Sequence, residues 1–403
     1  MSNLNTTPAG ERIHIGLFGR RNAGKSSLIN ALTGQSLAVV SPIPGTTTDP
    51  VAKAMELLPL GPVLLIDTGG LDDSGALGRM RVQKAWQILH KTDIAVVVID
   101  STEGPQAADE ELLRRIKEKG MSCLIVFTKT DLPEAKPNPV SLPFPQIAVS
   151  AATGHHIDRL KEMLAQLRPL NTPSVPLCAD LLRPGQTVIL VTPIDSAAPK
   201  GRLILPQQQT IREIIDARAC ALVTQEDGLQ RALENLKTPP ALVITDSQVF
   251  KRADQVTPKN IPLTSFSILM ARHKGNLEAA VNGVAALKNL RDRDAVLISE
   301  GCTHRRQCGD IGTVKLPAWI REKTGKSVRF TWTSGTEFPA DLSGYQLIIH
   351  CGGCMLNERE MQYRYDCARD QQVPITNYGL CIAYTQGILK RALSVFPELA
   401  DTL

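Results

Sequence analysis

Short apolar runs recur along the whole chain and alternate with segments of helical periodicity. Runs of this kind, bounded by glycine, proline and polar residues, predict buried strands. In the first part of the chain we expect strands at residues 13–18, 63–67, 94–100, 122–128 and 146–150. Later in the chain we expect them at residues 188–191, 221–223, 241–245, 295–299, 328–332 and 346–350. Strands that alternate with helices predict an α/β fold.

Two proline-containing stretches divide this pattern into three units. The stretch from Pro169 to Pro176 has the composition of a linker, and residues 255–262 form a second boundary. We therefore expect three α/β domains, at residues 1–172, 177–262 and 263–403, of which the last two are smaller than the first. The middle domain has apolar strands but no recognisable catalytic pattern, so association with another chain is its expected role.

The composition narrows the class of protein. The 403 residues are 43% hydrophobic and carry a net charge of +5, which is ordinary for a globular protein of two or three domains. No block of like charge indicates nucleic-acid binding, and no apolar run is long enough to span a bilayer. We therefore expect no nucleic-acid partner and no membrane partner. The polar N-terminus has no apolar core typical of a signal peptide, so we expect a cytoplasmic protein. The nine cysteines, an odd number, favour metal or redox chemistry over disulfides.

The sequence G-R-R-N-A-G-K-S at residues 19–26 fits the phosphate-binding pattern G-x-x-x-x-G-K-[S/T]. It lies between the first predicted strand and a helical segment, which is the context that this P-loop motif needs. Backbone N–H groups of such a loop surround a pyrophosphate, Lys25 reaches the β- and γ-phosphates, and Ser26 can bind Mg²⁺. The residues expected around the phosphates are Gly19, Asn22, Ala23, Gly24, Lys25, Ser26 and Ser27.

Two further motifs complete a triphosphate site. In D-T-G-G at residues 67–70, Asp67 can reach Mg²⁺ through a water, and the N–H of Gly70 can bind the γ-phosphate. The sequence G-T-T-T-D at residues 45–49 supplies a threonine that closes on Mg²⁺ and the γ-phosphate, for which Thr47 is our choice. The predicted catalytic residues are Lys25, Thr47 and Gly70.

The base is identified by T-K-T-D at residues 128–131. Asp131 can accept two hydrogen bonds from guanine N1–H and N2–H₂, which adenine cannot donate. A buried carboxylate left unpaired is strongly disfavoured, so we expect large discrimination in favour of guanine. The other residues expected near the base are Thr128, Lys129, Ser150 and Ala151. The four motifs and the Ser150-Ala151 pair, in their order along the chain, indicate a GTP site.

This set of motifs resembles the translation-factor-like GTPases, in particular the branch with the Era and MnmE proteins. Thr128 departs from that family, which usually has asparagine there, and the loss of the amide predicts weaker guanine binding. The glutamine that orients water in Ras-type enzymes is replaced by Leu71. In the resembling branch an asparagine matched by Asn22 helps to hold K⁺, which implies slow, K⁺-stimulated hydrolysis. A hydrogen bond within the loop is the alternative role of Asn22.

A cysteine–histidine constellation lies near the end of the chain. The sequence C-T-H at residues 302–304 and the sequence H-C-G-G-C at residues 350–354 each follow a predicted strand. The carboxyl ends of parallel strands meet at one edge of a sheet, so the two loops can converge. On spacing alone, three thiolates with two imidazoles fit a zinc site and a [4Fe–4S] cluster equally well. A third interpretation is a core without metal, and the role of Cys308 is ambiguous.

The two motif sets together resemble HydF, the family of GTPases that mature [FeFe]-hydrogenase, over essentially the whole chain. The strings P-G-T-T-T-D-P at residues 44–50, G-R-L-I-L-P at 201–206 and N-Y-G at 377–379 are also similar to that family. The resemblance implies a GTPase domain, a dimerisation domain and a domain that binds a [4Fe–4S] cluster. The ligands that it implies are Cys302, Cys351 and Cys354, with His304 or His350 as a labile fourth ligand.

The resemblance also implies partners. The family is a scaffold and carrier for the diiron subcluster of the hydrogenase active site. It works as a homodimer with two radical-SAM maturases and passes the subcluster to apo-[FeFe]-hydrogenase, while GTP turnover times the exchange of partners. The rival hypotheses are a ribosome- or RNA-associated GTPase with a C-terminal zinc site and a redox-sensing GTPase. The C-terminal sequence lacks the basic or aromatic platform that RNA binding requires.

Overall fold

The computed structural model describes residues 7–34, 51–72, 75–136, 142–167, 175–194, 203–301, 310–335 and 337–401. The chain divides into two units, residues 1–173 and residues 174–403. Both are layered α/β structures, as the alternating sequence pattern predicts. Among the helices that these described residues form, none has the length and apolar content needed to cross a bilayer.

The first unit is built on one six-stranded sheet. Its strands are β1 (Ile13–Phe18), β2 (Val51–Leu57), β3 (Gly61–Asp67), β4 (Ile94–Asp100), β5 (Ser122–Thr128) and β6 (Gln146–Ala148). They lie in the order β2-β3-β1-β4-β5-β6, and only the pair β2–β3 is antiparallel. Its helices are α1 (Lys25–Thr33), α2 (Gly75–Lys91), α3 (Ala107–Glu118) and α4 (Ile157–Gln166).

Helices cover both faces of this sheet, which explains the continuous apolar runs of its central strands. Every residue of β4 is buried. Val96 belongs to a core with Leu28 of α1, whereas its neighbour Val97 belongs to a core with Leu112 of α3. Successive residues of one strand therefore face opposite cores, as the two-residue period of a strand requires.

Three strands of this sheet, β1, β4 and β5, have the bounds that the sequence predicts. Strand β2 is absent from the prediction because it lies at the edge and is largely exposed, with only Leu57 buried. Its pairing with β3 extends from Val51 opposite Asp67 to Leu57 opposite Gly61. An exposed edge strand lacks the apolar run by which the central strands are recognised.

The second unit contains two four-stranded parallel sheets. The strands of the first are β7 (Thr187–Val191), β8 (Cys220–Thr224), β9 (Leu242–Thr245) and β10 (Leu263–Ser265), in the order β10-β9-β7-β8. The strands of the second are β11 (Ala295–Ser299), β12 (Arg329–Thr333), β13 (Leu347–His350) and β14 (Ile375–Asn377), in the order β12-β11-β13-β14. The helices are α5 (Leu205–Asp216), α6 (Leu229–Glu234), α7 (Phe250–Val256), α8 (Phe266–His273), α9 (Leu277–Val284), α10 (Leu316–Thr324), α11 (Glu358–Asp370), α12 (Tyr378–Thr385), α13 (Leu389–Ala392) and α14 (Pro397–Ala400).

One apolar core runs through both sheets of the second unit. Its buried members include Val188 of β7, Leu269 of α8 and Val296 of β11. The domain boundary expected between residues 262 and 263 falls just before β10, which pairs with β9 in the first of these sheets. The structure thus joins the second and third domains expected from the sequence in a single unit with a shared core.

Gly283 allows helix α9 to lie directly against strand β14. A Cβ atom at this position would lie 2.0 Å from the carbonyl oxygen of Ile375, far inside van der Waals contact. The hydroxyl of Thr376 donates to the carbonyl of Ala280 at 2.8 Å across the same contact. The absence of a side chain at residue 283 is therefore a packing requirement.

We expect Gly283→Ala to lower the free energy of unfolding by about 1–3 kcal/mol, because the backbone of β14 must move. Alanine ordinarily stabilises a helix by about 1 kcal/mol relative to glycine, so the sign of the change is diagnostic. Gly344→Ala is the control, since nothing lies within 4 Å of a Cβ there. Calorimetric unfolding of the full chain measures both variants, and equal stability of Gly283→Ala and the parent would contradict this packing.

Candidate functional site

The P-loop encloses the side chain of its own lysine. Lys25, the first residue of α1, is only 7% exposed. Its Nζ donates to the carbonyl of Gly19 at 3.0 Å and to the carbonyl of Arg20 at 2.7 Å. Gly19 must lack a side chain, because a Cβ there would lie 2.3 Å from the carbonyl oxygen of Val98. The loop thus places an ammonium group at the N-terminus of a helix, where anions are stabilised.

A hydroxyl and a carboxylate meet beside this loop. Ser26 Oγ donates to Asp67 Oδ2 at 2.6 Å, at the end of strand β3. Burial raises the pKa of Asp67, although Ser26 and Lys25 act in the opposite direction. The second carboxylate oxygen of Asp67 is buried with no hydrogen-bond partner among the described residues. Mg²⁺ prefers oxygen ligands, so the two side chains fit the metal ion expected from the sequence.

The loop that follows β3 is attached to the P-loop. The N–H of Leu71 donates to the carbonyl of Gly19 at 3.3 Å, and the N–H of Arg21 donates to Asp72 Oδ1 at 2.7 Å. Gly70 directly precedes Leu71, and a Cβ there would be 2.8 Å from the nitrogen of Arg21. Two of the three predicted catalytic residues, Lys25 and Gly70, therefore lie on adjoining loops. The third, Thr47, lies outside the described residues.

Thr128 connects the base-binding motif to the P-loop. Its side chain is buried, and its hydroxyl lies 2.6 Å from the carbonyl of Ala23 and 3.2 Å from that of Ile99. A hydroxyl has one proton, so the shorter contact to Ala23 is the principal hydrogen bond. The threonine thus supplies a link across 105 residues that sequence reasoning did not predict from the replacement of asparagine.

Two further residues that the sequence predicts near the base, Lys129 and Asp131, follow Thr128 in the chain. Lys129 has a left-handed backbone (φ 59°), and its Nζ donates to Asp100 Oδ2 at 2.5 Å. Although burial acts to raise the pKa of Asp100, hydrogen bonds from Lys129 and Thr102 lower it below its ordinary value. Asp131 is exposed on the next turn. Asp100 was not predicted, although its position at the end of strand β4 is a signal that could have identified it.

The turn after β6 is held by its own side chains. The N–H of Ser150 donates to the carbonyl of His155 at 3.2 Å, and Ser150 Oγ accepts from the N–H of Thr153 at 3.1 Å. Ser150 is thus occupied within the turn, and the N–H of Ala151 is the donor that a base could use.

Asn22, expected at a K⁺ site, is exposed with a left-handed backbone (φ 61°).

Arg20 attaches the P-loop to the start of α3. Its Nε donates to Asp109 Oδ2 at 3.1 Å, and one terminal nitrogen donates to the carbonyl of Gly104 at 3.1 Å. The other terminal nitrogen bonds Glu103 at 2.5 Å. Sequence reasoning passed over this residue because it occupies a variable position of the motif.

The two strands that carry the cysteine motifs are direct neighbours. Ser299 of β11 lies opposite His350 of β13, and the N–H of Cys351 donates to the carbonyl of Ser299 at 2.9 Å. The strands that precede the two motifs therefore end at the same edge of the sheet, as expected, and the C-T-H motif itself lies outside the described residues. The N–H of Gly301 donates to Cys351 Sγ at 3.0 Å, and the N–H of Gly353 donates to the same sulfur at 3.4 Å.

These contacts fit a sulfur that binds a metal. Backbone N–H groups stabilise a thiolate, and hydrogen bonds to sulfur are a feature of iron–sulfur sites. Burial raises the pKa of the Cys351 thiol and raises that of Cys354 to about 11. Within the described part of the chain no group of three or more potential ligands is arranged around one point. Two predicted ligands, Cys302 and His304, lie outside it, as does Cys308.

His350 is completely buried between two protein partners. Its Nδ1 lies 2.7 Å from the carbonyl oxygen of Cys351, and its Nε2 lies 2.9 Å from a terminal nitrogen of Arg364. Burial, reinforced by Arg364, lowers the pKa of His350 to about 3. Both nitrogens of a predicted metal ligand therefore already have partners in the protein.

Three family models match the chain. Residues 14–129 match a family described as 50S ribosome-binding GTPase. Residues 177–275 match the hydrogen maturase F dimerization domain, and residues 278–395 match the hydrogen maturase F tetramerization domain. The first match contains the P-loop, and the last contains the H-C-G-G-C motif. The first unit is thus a GTPase domain.

Individual relatives match part of the chain. The tRNA modification GTPase MnmE of Thermus thermophilus is 39% identical over 235 residues, covering 55% of this chain and 48% of that protein. MnmE of Bordetella parapertussis is 35% identical over 164 residues, covering 40% of this chain and 35% of that protein. The chain thus spans between about a third and a half of these relatives. Era of Aquifex aeolicus bound to GDP and AlF4⁻ is a similar solved structure, 21% identical, covering 53% of this chain and 93% of that one with a TM-score of 0.34.

We expect Thr128→Val to weaken GDP binding about tenfold, because the buried carbonyl of Ala23 loses its donor while the side-chain volume is kept. Thr128→Ser retains the hydroxyl and should bind nearly as well as the parent. Thr238→Val is the control, since this threonine is exposed and belongs to the second unit. Titration with a fluorescent GDP measures all three, and parental affinity in Thr128→Val would contradict the anchoring role.

Proposed function

Because this chain belongs to the hydrogen maturase F family, with matches to both association domains of that family, we propose that it is a GTP-hydrolysing carrier in hydrogenase maturation. In this proposal it binds a [4Fe–4S] cluster in its second unit and delivers a diiron subcluster to apo-[FeFe]-hydrogenase. The family match supports a GTPase of hydrogenase maturation.

The observation that carries the cluster proposal is the hydrogen bond from Gly301 to Cys351 Sγ at 3.0 Å. Gly301 is the last described residue before the C-T-H motif in the sequence. The chain that leads to this motif is therefore hydrogen-bonded to the Cys351 sulfur at Gly301, although residues 301 and 351 are far apart in sequence. Cys354 follows on the same short loop as Cys351.

We propose Cys302, Cys351 and Cys354 as the cluster ligands, with a histidine in an exchangeable fourth position. A bound cluster would supply an iron with a replaceable ligand, beside which the diiron cargo could bind and leave. The protein contributes N–H donors to sulfur from Gly301 and Gly353. A zinc ion could use the same thiolates, and metal analysis distinguishes the two.

Each predicted site residue of the GTPase domain has a proposed role in binding the nucleotide or a metal ion. Lys25 binds the β- and γ-phosphates, Ser26 binds Mg²⁺ directly, and Asp67 binds it through water. The N–H of Gly70 and the hydroxyl of Thr47 contact the γ-phosphate. Gly19, Asn22, Ala23, Gly24 and Ser27 would surround the phosphates, and Asn22 would also hold K⁺. Lys129, Asp131 and Ala151 would contact the base, while Thr128 and Ser150 would hold the P-loop and the base turn in position.

The proposed partners follow from the same role. The dimerization and tetramerization matches support self-association, and we propose a homodimer as its basic form. Two radical-SAM maturases would load the diiron cargo, and apo-[FeFe]-hydrogenase would receive it. GTP turnover would time the exchange between these partners rather than drive bond chemistry.

We expect the oxygen-free, iron- and sulfide-reconstituted chain to be brown and to hold about four irons. After co-expression with the maturases it should activate apo-hydrogenase. Cys351→Ser should lose the iron and the activation, because a hydroxyl is a poor replacement for a thiolate. Cys367→Ser, a substitution of a partly exposed cysteine on α11, is the control and should retain both.

Either of two results would reject this function. A colourless parent with stoichiometric zinc would favour the ribosome- or RNA-associated GTPase instead. Full activation by Cys302→Ser or Cys351→Ser would remove the proposed ligands from the delivery step.

We also expect GTP hydrolysis to be at least about tenfold faster in K⁺ than in Na⁺ at equal ionic strength, because a fixed cation stabilises charge that develops between the phosphates. Asn22→Ala should hydrolyse GTP at the slower rate in both salts, while its affinity for GDP is little changed. Steady-state phosphate release measures the rates. Equal rates of the parent in the two salts would reject a K⁺ site.

A further inference from the structure

A buried arginine contacts His350, the first residue of the H-C-G-G-C motif. Arg364 of α11 has no exposed surface. Its Nε donates to Glu360 Oε1 at 2.9 Å, and a terminal nitrogen contacts the same oxygen at 2.8 Å. Its other donors reach Ser299 Oγ at 3.0 Å, the carbonyl of Gly335 at 2.8 Å and His350 Nε2 at 2.9 Å. Burying a charge is costly unless it is fully paired, so a side chain with this many partners implies a specific role.

The arginine decides which nitrogen of His350 carries the proton. A guanidinium has only donors and does not lose its charge in proteins. His350 Nε2 must therefore be an acceptor, and the proton of the neutral ring lies on Nδ1. That proton points to the carbonyl oxygen of Cys351 at 2.7 Å. The tautomer thus follows from the geometry.

Cys351 is consequently held at three points. Its N–H donates to Ser299, its carbonyl accepts from His350, and its sulfur accepts from Gly301 and Gly353. Ser299 also accepts from Arg364 through its hydroxyl. The arginine therefore supports two of the residues that fix the backbone of Cys351.

The same geometry argues against His350 as a metal ligand. To bind a metal through Nε2, the ring would have to give up its bond with Arg364, and the guanidinium would then face a second cation at short range. Nδ1 is directed at the carbonyl of the next residue. A change of both contacts would be needed before the ring could turn towards a metal.

We infer that Arg364 and His350 are positioning residues, in which the arginine fixes the Nδ1–H tautomer of His350 and the histidine holds the Cys351 carbonyl instead of binding the cluster. This inference rests on the proposed cluster function. It removes His350 from the two histidines considered for the exchangeable position and leaves His304. It also gives a role to the buried ion pair of Arg364 with Glu360, which has no proposed part in nucleotide binding.

The tautomer is tested first on the metal-free full chain. Long-range ¹H–¹⁵N spectra of protein labelled with ¹⁵N-histidine report the protonated nitrogen of each ring, and the signal missing from His350→Asn assigns His350. We expect a neutral ring with the proton on Nδ1 at pH 7. A ring protonated on Nε2, or on both nitrogens, would overturn the inference.

Two amide substitutions then separate the positioning role from ligation. Asparagine places its amide near the position of Nδ1 and can still donate to the Cys351 carbonyl. Glutamine places its amide near Nε2 and cannot. Outer hydrogen-bond partners of metal ligands are worth about 10- to 100-fold in affinity, so His350→Gln should lose iron to a chelator about tenfold faster than the parent. His350→Asn should lose it at nearly the parental rate.

Electron paramagnetic resonance of the reduced, reconstituted protein gives an independent readout. We expect the nitrogen hyperfine pattern of His350→Asn to match that of the parent. Disappearance of a histidine nitrogen coupling in this variant would identify His350 as a ligand and overturn the inference. Faster iron loss from His350→Asn than from His350→Gln would do the same.

The arginine is tested with its charge partner, because removal of Arg364 alone would take the opposite charge away from the buried carboxylate of Glu360. The double variant Arg364→Met, Glu360→Gln removes both charges. It should release iron about tenfold faster and lose the uniform Nδ1–H tautomer. Arg369→Met on the same helix, where the side chain is 69% exposed, is the control and should match the parent. A double variant with parental tautomer and iron retention would overturn the inference.

These measurements separate the inference from the function on which it rests. If the parent binds no iron, the proposed function fails, while the metal-free spectra still decide the tautomer. If the parent binds iron but His350 has the other tautomer, only the positioning role fails.

Discussion

The parallel pairing of buried strands is the constraint on which both sites depend. Leu17 of β1 lies opposite Asp67 of β3, so the P-loop and the D-T-G-G loop leave the sheet at the same edge. In the second unit Ser299 lies opposite His350, and the two cysteine loops leave that sheet in the same way. A shift of one residue in either register would turn buried apolar side chains to the wrong face. The cores that fix the register therefore also fix the sites.

Buried polar side chains then select one conformation of each loop. Lys25 bridges two carbonyls of its own loop, and the hydroxyl of Thr128 reaches Ala23. In the second unit Arg364 contacts Ser299 and His350, the paired residues at the ends of β11 and β13. Because an unpaired buried polar group costs more than a typical hydrogen bond contributes, alternative loop conformations are disfavoured. The two sites differ in their donors: oxygen beside the P-loop suits Mg²⁺, and sulfur in the second unit suits zinc or iron.

Much of the architecture could be predicted from local patterns. Strands β1, β4 and β5 were predictable to the residue because they are continuous apolar runs buried on both faces. The edge strand β2 and the three-residue strands β10 and β14 gave no such signal, since they are exposed or too short to show a period. The shared core of the second unit was also invisible, because contacts between β9 and β10 link residues on both sides of a proline-containing loop.

The sequence by itself determined which chemical groups are present and in which order: a P-loop, a guanine motif and two cysteine-bearing loops that follow strands. Only the tertiary structure decided what several of those groups contact. From the sequence, Thr128 is a replacement for asparagine that weakens guanine binding, whereas in the structure its hydroxyl bonds the carbonyl of Ala23. From the sequence, His350 is a candidate metal ligand, whereas in the structure its Nε2 contacts Arg364. A sequence motif shows which residue types lie together on one strand and on the loop that follows it. The partner of a buried polar atom comes from another element, and packing of the core alone brings the two together.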